Sequence, residues 1–112
     1  MQEETRRAIA RAAAVRINGQ ARGAIYSYAE GRHTHMSGSG NNAYDHDAGA
    51  HISGSGSGLY HHGLGSHISL SVNGRSFSGY DHGDGHHFSG TVNGSSVQIY
   101  DHGEGRHFNY QI

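Results

Sequence analysis

Cysteine is absent from the 112 residues of this chain, which excludes disulfide bonds and thiolate chemistry and leaves the redox compartment open. Proline is absent too, and hydrophobic residues make up only 33%, below the ~45–50% that is usual for globular domains. Nineteen glycines leave little material for a deep apolar core. We therefore expect backbone pairing across a sheet, together with aromatic contacts, to supply much of the stability.

Long apolar runs and strong charge are missing as well. No stretch approaches the ~20 apolar residues that a membrane-spanning helix needs. The segment Met1-Gln2-Glu3-Glu4 is acidic, whereas a signal peptide would begin with basic residues. The formal net charge of -1 offers no basic field for nucleic acid. The sequence predicts one domain, 1–112, located by default in the cytoplasm and without a nucleic-acid or membrane partner.

One phrase of eight residues organises the chain, and its last copy reads Tyr-Asp-His-Gly-Glu-Gly-Arg-His. Three columns of the phrase never vary: the first is tyrosine, the sixth glycine and the eighth histidine. A chain built by copying one small unit is an array, so its function belongs to the array. The invariant residues are Tyr26, Tyr44, Tyr60, Tyr80 and Tyr100; Gly31, Gly49, Gly65, Gly85 and Gly105; and His33, His51, His67, His87 and His107.

The first fourteen residues predict an N-terminal helix, from Glu3 to about Ala14. Two acidic residues suit the positive end of its dipole, and several alanines make it thin enough to approach another backbone closely. So short a helix does not persist alone in water and should pack on other elements. We expect it to lie on the strands that contain the Ser-Gly runs 37–40 and 53–58.

Residues 15–112 predict a five-copy β-repeat. Asn-Gly turns precede the strands that end in a repeat tyrosine, as at Asn93-Gly94, and the glycine-bearing loops of the phrase follow those strands. The invariant last glycine of each loop predicts a left-handed backbone. Turns that alternate in this way favour an all-β, up-and-down antiparallel meander, either a barrel or a curled sheet. A β-solenoid with turns of ~20 residues is the alternative.

The register follows from the turns. With Asn93-Gly94 as the loop residues, Phe88 lies opposite Ile99 and His87 opposite Tyr100. Pairing through the next loop places Tyr100 opposite His107 and Ile99 opposite Phe108. Apolar side chains then collect on one face. The other face carries tyrosine and histidine side by side, a candidate binding surface formed by Tyr26, His33, Tyr44, His51, Tyr60, His67, Tyr80, His87, Tyr100 and His107.

Metal binding is a second interpretation of the histidines. His-x4-His recurs in four copies, and an aspartate precedes the first histidine in three of them. Imidazole and carboxylate suit a transition-metal ion such as zinc. The candidate ligands are Asp81, His82, His87, Asp101, His102 and His107. His33 and His35 also share one face of a strand, whereas the neighbours His61 and His62 point to opposite faces.

Enzymatic activity is not expected, because Ser, His and Asp are repeated rather than held as one tuned centre. The sequence therefore predicts a non-enzymatic binding or assembly module without a cofactor. Its expected partners are further copies of the chain, a carbohydrate or another protein. The twelve histidines also raise the hypothesis of a sheet that loosens below about pH 6.

Overall fold

A computed structural model describes residues 1–112 apart from the side chains of Ser39 and Ser55. One helix precedes ten strands, each of which pairs with its neighbours in antiparallel fashion. The last strand pairs with the first and closes a barrel. The meander is thereby confirmed, and closure leaves the terminal strand without a free edge. The elements are α1 Glu3–Asn18, β1 Ala24–Ser27, β2 Arg32–Ser39, β3 Asn42–Asp45, β4 Ala50–Ser55, β5 Gly58–His61, β6 Ser66–Asn73, β7 Ser76–Asp81, β8 His86–Asn93, β9 Ser96–Asp101 and β10 Arg106–Gln111.

The loops of the repeated phrase lie at one end of the barrel and obey the predicted glycine rule. The invariant glycine has a positive φ in all five copies, for example 73° at Gly85 and 69° at Gly105. In four of the copies its N–H donates to the carbonyl of the residue four positions earlier, as Gly105 does to Asp101 at 2.7 Å. Only glycine adopts this backbone without strain, which explains why the column never varies.

The hairpins at the other end differ from the predicted register by two residues. Val92 pairs with Val97 and Asn93 with Ser96, so the turn residues are Gly94 and Ser95. Gly94 has a φ of 58°, and no non-glycine residue of the described chain has a positive φ. Glycine at the first turn position is typical of a type II′ turn, whereas the predicted type I′ turn needs a positive φ at the asparagine as well.

A shift of two residues keeps every side chain on its predicted face, because side chains alternate with a period of two. Phe88, Val92, Val97 and Ile99 are buried in the barrel, as predicted. The pairs formed across the phrase are confirmed without any shift: Tyr26 with His33, Tyr44 with His51, Tyr60 with His67, Tyr80 with His87 and Tyr100 with His107.

Helix α1 lies inside the barrel rather than on a sheet surface. It is buried on every side from Thr5 to Val15, and its side chains share one core with inward residues of the strands. Sixteen residues span about 24 Å at 1.5 Å per residue, close to the 27 to 30 Å extents of the whole molecule. The helix therefore supplies the apolar filling that the glycine-rich strands lack.

The helix ends four residues later than predicted. Asn18-Gly19 has the same dipeptide as the hairpin turns, but here Gly19 terminates the helix in the left-handed conformation and its N–H donates to the Val15 carbonyl at 2.8 Å. Asn-Gly serves both purposes, since glycine is favoured at helix C-termini and in hairpins. The two uses cannot be told apart from the dipeptide alone.

The predicted contact between the alanine-rich helix and the Ser-Gly runs is present at the last residue of each run, where Arg11 bonds the Gly40 carbonyl and Arg16 bonds the Gly58 carbonyl. The helix backbone approaches β1, β5, β6, β8 and β9. Long arginine side chains reach the other side of the barrel: Arg7 bonds Asp45 on β3, and Arg11 bonds the Gly40 carbonyl in the turn between β2 and β3. The Ser-Gly runs are strands, as predicted, within β2 and β4.

Enlarging a helix alanine should therefore destabilise the barrel. Ala13 is fully buried, and additional methylene groups in a packed core cost about 1–3 kcal/mol. We expect Ala13→Leu to lower the free energy of unfolding by that amount in urea denaturation. Ala29→Leu, which alters an exposed loop residue, is the matched control and should change stability little. Equal stability of the two variants would place the helix outside the barrel.

Candidate binding surface

The Tyr/His belt is formed by the ten tyrosines and histidines of the repeated phrase, and it encircles the outside of the barrel. Each tyrosine contacts the histidine of the next strand edge-on, with ring centroids 4.6 to 4.7 Å apart. The tyrosines are half-buried and the histidines exposed. Cross-strand aromatic pairs of this kind stabilise a sheet by about 0.2–1 kcal/mol each, and they fix the rings in place.

A second histidine flanks four of the five tyrosines. The loop histidines His46, His62, His82 and His102 follow the tyrosine by two residues, so they lie on the same face. Their ring centroids are 4.7 to 4.9 Å from that of the tyrosine. In the first copy Tyr28 takes this place, 5.0 Å from Tyr26. Tyrosine is thus held between two rings in every repeat.

Neighbouring repeats are joined through histidine rather than through the predicted contact of His87 with Tyr100. The N–H of each loop histidine donates to a strand histidine of the preceding hairpin, as His102 does to the His87 carbonyl at 3.2 Å. The two-residue shift places Ser89, not His87, opposite Tyr100. From one Tyr/His pair to the next, the belt is therefore displaced by two residues along the strands. The pairs nevertheless form a continuous series from β1 to β10.

The two-residue displacement between neighbouring pairs explains why β2 contains two histidines, His33 and His35. His33 pairs with Tyr26, and the His46 N–H donates to the His35 carbonyl. In β4, β6 and β8 a single histidine fills both places. Both side chains of the pair are exposed with buried Thr34 between them, as predicted.

Serine is a component of the site that the sequence reasoning missed. Ser37, Ser53, Ser69 and Ser89 each lie opposite a belt tyrosine. Three of them bond the loop histidine through Nε2: Ser37 with His46 at 2.7 Å, Ser53 with His62 at 2.8 Å and Ser69 with His82 at 2.9 Å. The signal was a recurrent histidine–apolar–serine triplet at His35, His51, His67 and His87.

The outer wall of the barrel is uncharged. Every outward strand position with a described side chain is Ala, Gly, Ser, Thr, Asn, Gln, Tyr or His, whereas protein surfaces usually carry roughly 25–35% charged residues. Exposed charges lie in turns, in the segment between α1 and β1, or at the first position of a strand, for example Asp84, Arg22 and Arg106. Charge is thus confined to the barrel ends and interior.

Two shallow grooves cross this wall beside belt tyrosines. The Tyr60 groove has a volume of about 550 Å³ and is lined by Ser53, Gly58, Ser69 and His82 as well as Tyr60. The Tyr100 groove, about 530 Å³, is lined by the polar residues Ser78, Ser89, Thr91 and Gln98, by Tyr100 and His107, and by the apolar side chains of Val72 and Phe77. Both volumes are within the range of small-molecule sites, about 300–1,000 Å³.

The aspartates of the phrase point into the barrel, opposite to the belt. Oδ1 of Asp101 accepts the N–H groups of Gly103 and Glu104 at 2.9 and 3.2 Å, which closes the loop. Its Oδ2 lies 3.0 Å from a guanidinium nitrogen of Arg6 and 3.0 Å from the amino group of Met1. Burial alone would raise the pKa of Asp101, but the bonds from these groups and from Glu104 hold it below its usual value.

The predicted aspartate and histidine ligands are therefore separated by the wall. Asp81 and Asp101 are buried inside, whereas His82, His87, His102 and His107 are exposed outside. Among the described residues, no group of three or more His, Asp or Glu side chains is arranged to hold a metal ion. The chemistry that the surface offers consists of neutral hydroxyl, amide, phenol and imidazole groups.

His61 occupies the aspartate position in the third copy, and among the described side chains it is the one histidine buried in the barrel. Its Nδ1 accepts the Leu64 N–H at 3.3 Å and so closes the loop as aspartate does. Its Nε2 has no hydrogen-bond partner among the described residues. Burial lowers the pKa of His61, opposed by the charges of Glu4 and Asp45 and reinforced by that of Arg7.

The lowered pKa of His61 predicts that the folded protein loses stability in acid. Folded His61 binds a proton less readily than unfolded histidine, whose pKa is ~6.5. Stability is therefore retained above about pH 6.5 and lost as the pH falls below it, because protons then favour the unfolded chain. His61→Asn preserves an acceptor for Leu64 but cannot titrate. We expect its free energy of unfolding to fall less steeply than that of the wild type between about pH 7 and 5; parallel profiles would contradict this.

Comparisons with models of known families, with curated proteins and with solved structures find no match for this chain. In the described residues, no helix combines the length and apolar character needed to cross a membrane. The functional conclusion therefore rests on the geometry of the barrel surface.

Proposed function

We propose that the protein is a non-enzymatic binding or assembly module that engages its partner through the Tyr/His belt and the uncharged wall beneath it. The observation that carries the proposal is the confinement of charge to the ends and interior of the barrel. Serine, histidine, tyrosine and asparagine occupy most outward strand positions. Serine, tyrosine and asparagine are also enriched in antibody binding surfaces, where rigid tyrosine supplies contact area and small polar groups adapt.

Rigidity supports the proposal further. Each belt tyrosine is held between two rings and carried on a paired strand, so little conformational entropy remains to be lost when a partner binds. The repeats also place equivalent groups at regular intervals around the barrel. Such an array suits a multivalent partner, either a repeating polymer or further copies of the chain.

A belt variant tests the proposal. Tyr60→Ser/Tyr80→Ser/Tyr100→Ser removes three aromatic anchors, and Arg22→Ser/Arg75→Ser/Glu104→Ser is a control at exposed positions outside the belt. Retention on immobilised neutral and anionic polysaccharides, and self-association by sedimentation velocity, are measured after thermal unfolding has verified folding. We expect the wild type and the control to bind a polysaccharide or self-associate, and the belt variant to do neither. The proposal fails if the wild type does neither, or if the belt variant matches it; if that triple variant fails to fold, Tyr80→Ser alone replaces it.

A second candidate function is transition-metal binding by outward histidines. The supporting observation is that His35 and His46 face each other across β2 and β3 with ring centroids 6.2 Å apart. Two imidazoles suit copper, nickel or zinc. Metal content after purification without an affinity tag is the test: stoichiometric metal that survives dialysis and disappears in His46→Ala supports this candidate, and metal-free protein excludes it.

A further inference from the structure

We infer that the two grooves are binding sites for an uncharged polysaccharide, an assignment that rests on the proposed function and names its ligand class. The occupant is a segment of neutral sugar units lying on the serine-rich wall against a tyrosine. Its recognition depends on a fixed aromatic ring and the absence of charge in both grooves, and on free hydroxyl and amide groups in the Tyr100 groove. In the Tyr60 groove the hydroxyl groups of Ser53 and Ser69 bond the loop histidines.

The polar side chains of the Tyr100 groove are free to bond a ligand. Ser78, Ser89, Thr91 and Gln98 line this groove, and no side-chain hydrogen bond joins them to another residue within the described structure. Each hydroxyl can donate once and accept twice, and the amide both donates and accepts. A sugar presents the same mixture of donors and acceptors, so the two surfaces can satisfy one another without any charged group.

The aromatic ring supplies the apolar half of the contact. Tyr100 is clamped between His102 and His107, with centroids 4.7 Å apart in both cases, and Tyr60 is clamped in the same way by His62 and His67. A half-exposed tyrosine offers an apolar body with a polar tip. The C–H face of a pyranose matches the body, and its hydroxyl groups match the tip.

Other classes of ligand fit these grooves less well. Nucleic acids and acidic polysaccharides require arginine or lysine near their phosphate, carboxylate or sulfate groups, and neither groove is lined by a charged residue. An apolar peptide or helix requires a contiguous hydrophobic patch. Among the described residues, the large hydrophobic side chains that are well exposed are Tyr28 and Val72, which are separate. A neutral, hydroxyl-rich polymer is the class that remains.

Binding to purified polysaccharides tests the inference. Retardation in native gels that contain neutral glucans, mannans, xylans or galactans is compared with gels that contain alginate or heparin. We expect retardation by at least one neutral polymer and none by the anionic ones. The effect should persist when sodium chloride rises from about 0.05 to about 0.5 M, because screening weakens contacts between exposed charges and leaves neutral ones unchanged.

Single substitutions locate the site. Tyr60→Ala and Tyr100→Ala should each weaken binding, and the pair by about tenfold or more, the effect of removing an aromatic anchor. Glu104→Ala is the control, because Glu104 is exposed in a loop outside the belt and lines neither groove. Ser78→Glu, at an exposed position, should abolish binding in the Tyr100 groove without harming the fold.

Three results would overturn the inference: no neutral polymer retards the wild type, only anionic polymers do, or Tyr60→Ala/Tyr100→Ala binds as the wild type does. If self-association or another ligand depends on the belt while every neutral polymer fails, the assignment of the grooves is wrong and the proposed function stands. If nothing depends on the belt, both are wrong.

Discussion

Replacing Asp101 by alanine should lower the free energy of unfolding by about 3–5 kcal/mol, the usual cost of removing one partner from a buried ion pair. The substitution leaves the Arg6 guanidinium inside the barrel without the carboxylate 3.0 Å away. It also deprives two loop N–H groups of their acceptor. Urea denaturation, with the slope compared between variants, measures the loss.

Asp81→Ala is the matched control for this prediction. Asp81 occupies the same column of the phrase, is equally buried, and accepts N–H groups of its own loop through Oδ1 at 3.0 and 3.4 Å. No arginine forms a described ion pair with it. We therefore expect a smaller loss of about 1–3 kcal/mol, the cost of the unsatisfied loop donors. Equal losses in the two variants would show that the ion pair of Asp101 contributes nothing.

A methyl group at Gly79 should destabilise the barrel by an amount toward the upper end of about 1–3 kcal/mol. An added Cβ would lie 1.8 Å from the Ser69 carbonyl oxygen and 2.6 Å from Cζ of Phe88. The ring of Phe88 covers Gly79, and that of Phe77 covers Gly90 in the same way. The aromatic side chain can turn aside, but the paired backbone cannot, so Gly79→Ala must disturb the pairing of β6 and β7.

Gly56→Ala provides the comparison for Gly79→Ala. Gly56 has no positive φ, and an added Cβ there would meet no atom within 4 Å. The loss of chain entropy in the unfolded state should make this variant neutral or slightly more stable. Thermal unfolding of both proteins, monitored by circular dichroism, tests the difference. A Gly79→Ala protein as stable as Gly56→Ala would contradict the close approach of the strands.

The repeated phrase made the meander and the two faces predictable, because alternation with a period of two survives an error of two residues in register. The position of the helix was not predictable in the same way. Its alanines indicated close packing, but the sequence does not say whether a sheet curls around a helix or lies beside it. Inside the barrel Arg6 and Arg7 bond carboxylates that are distant in the sequence, at Asp101 and Asp45, and no local pattern indicates such pairs.

The candidate site was predictable in outline and incomplete in detail. The tyrosine and histidine columns are visible by inspection. The serines opposite the tyrosines required the hairpin register, which depends on whether the asparagine of Asn-Gly adopts a positive φ. The separation of Asp81 from His82 follows from strand alternation, and continuing that alternation into the loop would have shown that these two side chains cannot share one metal ion.

Histidine footprinting tests the central claim most directly, namely that the copied phrase presents its tyrosines and histidines to solvent while its second column faces the interior. Diethyl pyrocarbonate modification of the native protein, read by mass spectrometry, measures the exposure of all twelve histidines. We predict that His61 is protected until the protein unfolds and that the histidines of the belt and loops react readily. Protection of His67, His87 and His107 in the native protein, or free reaction of His61, would contradict the account.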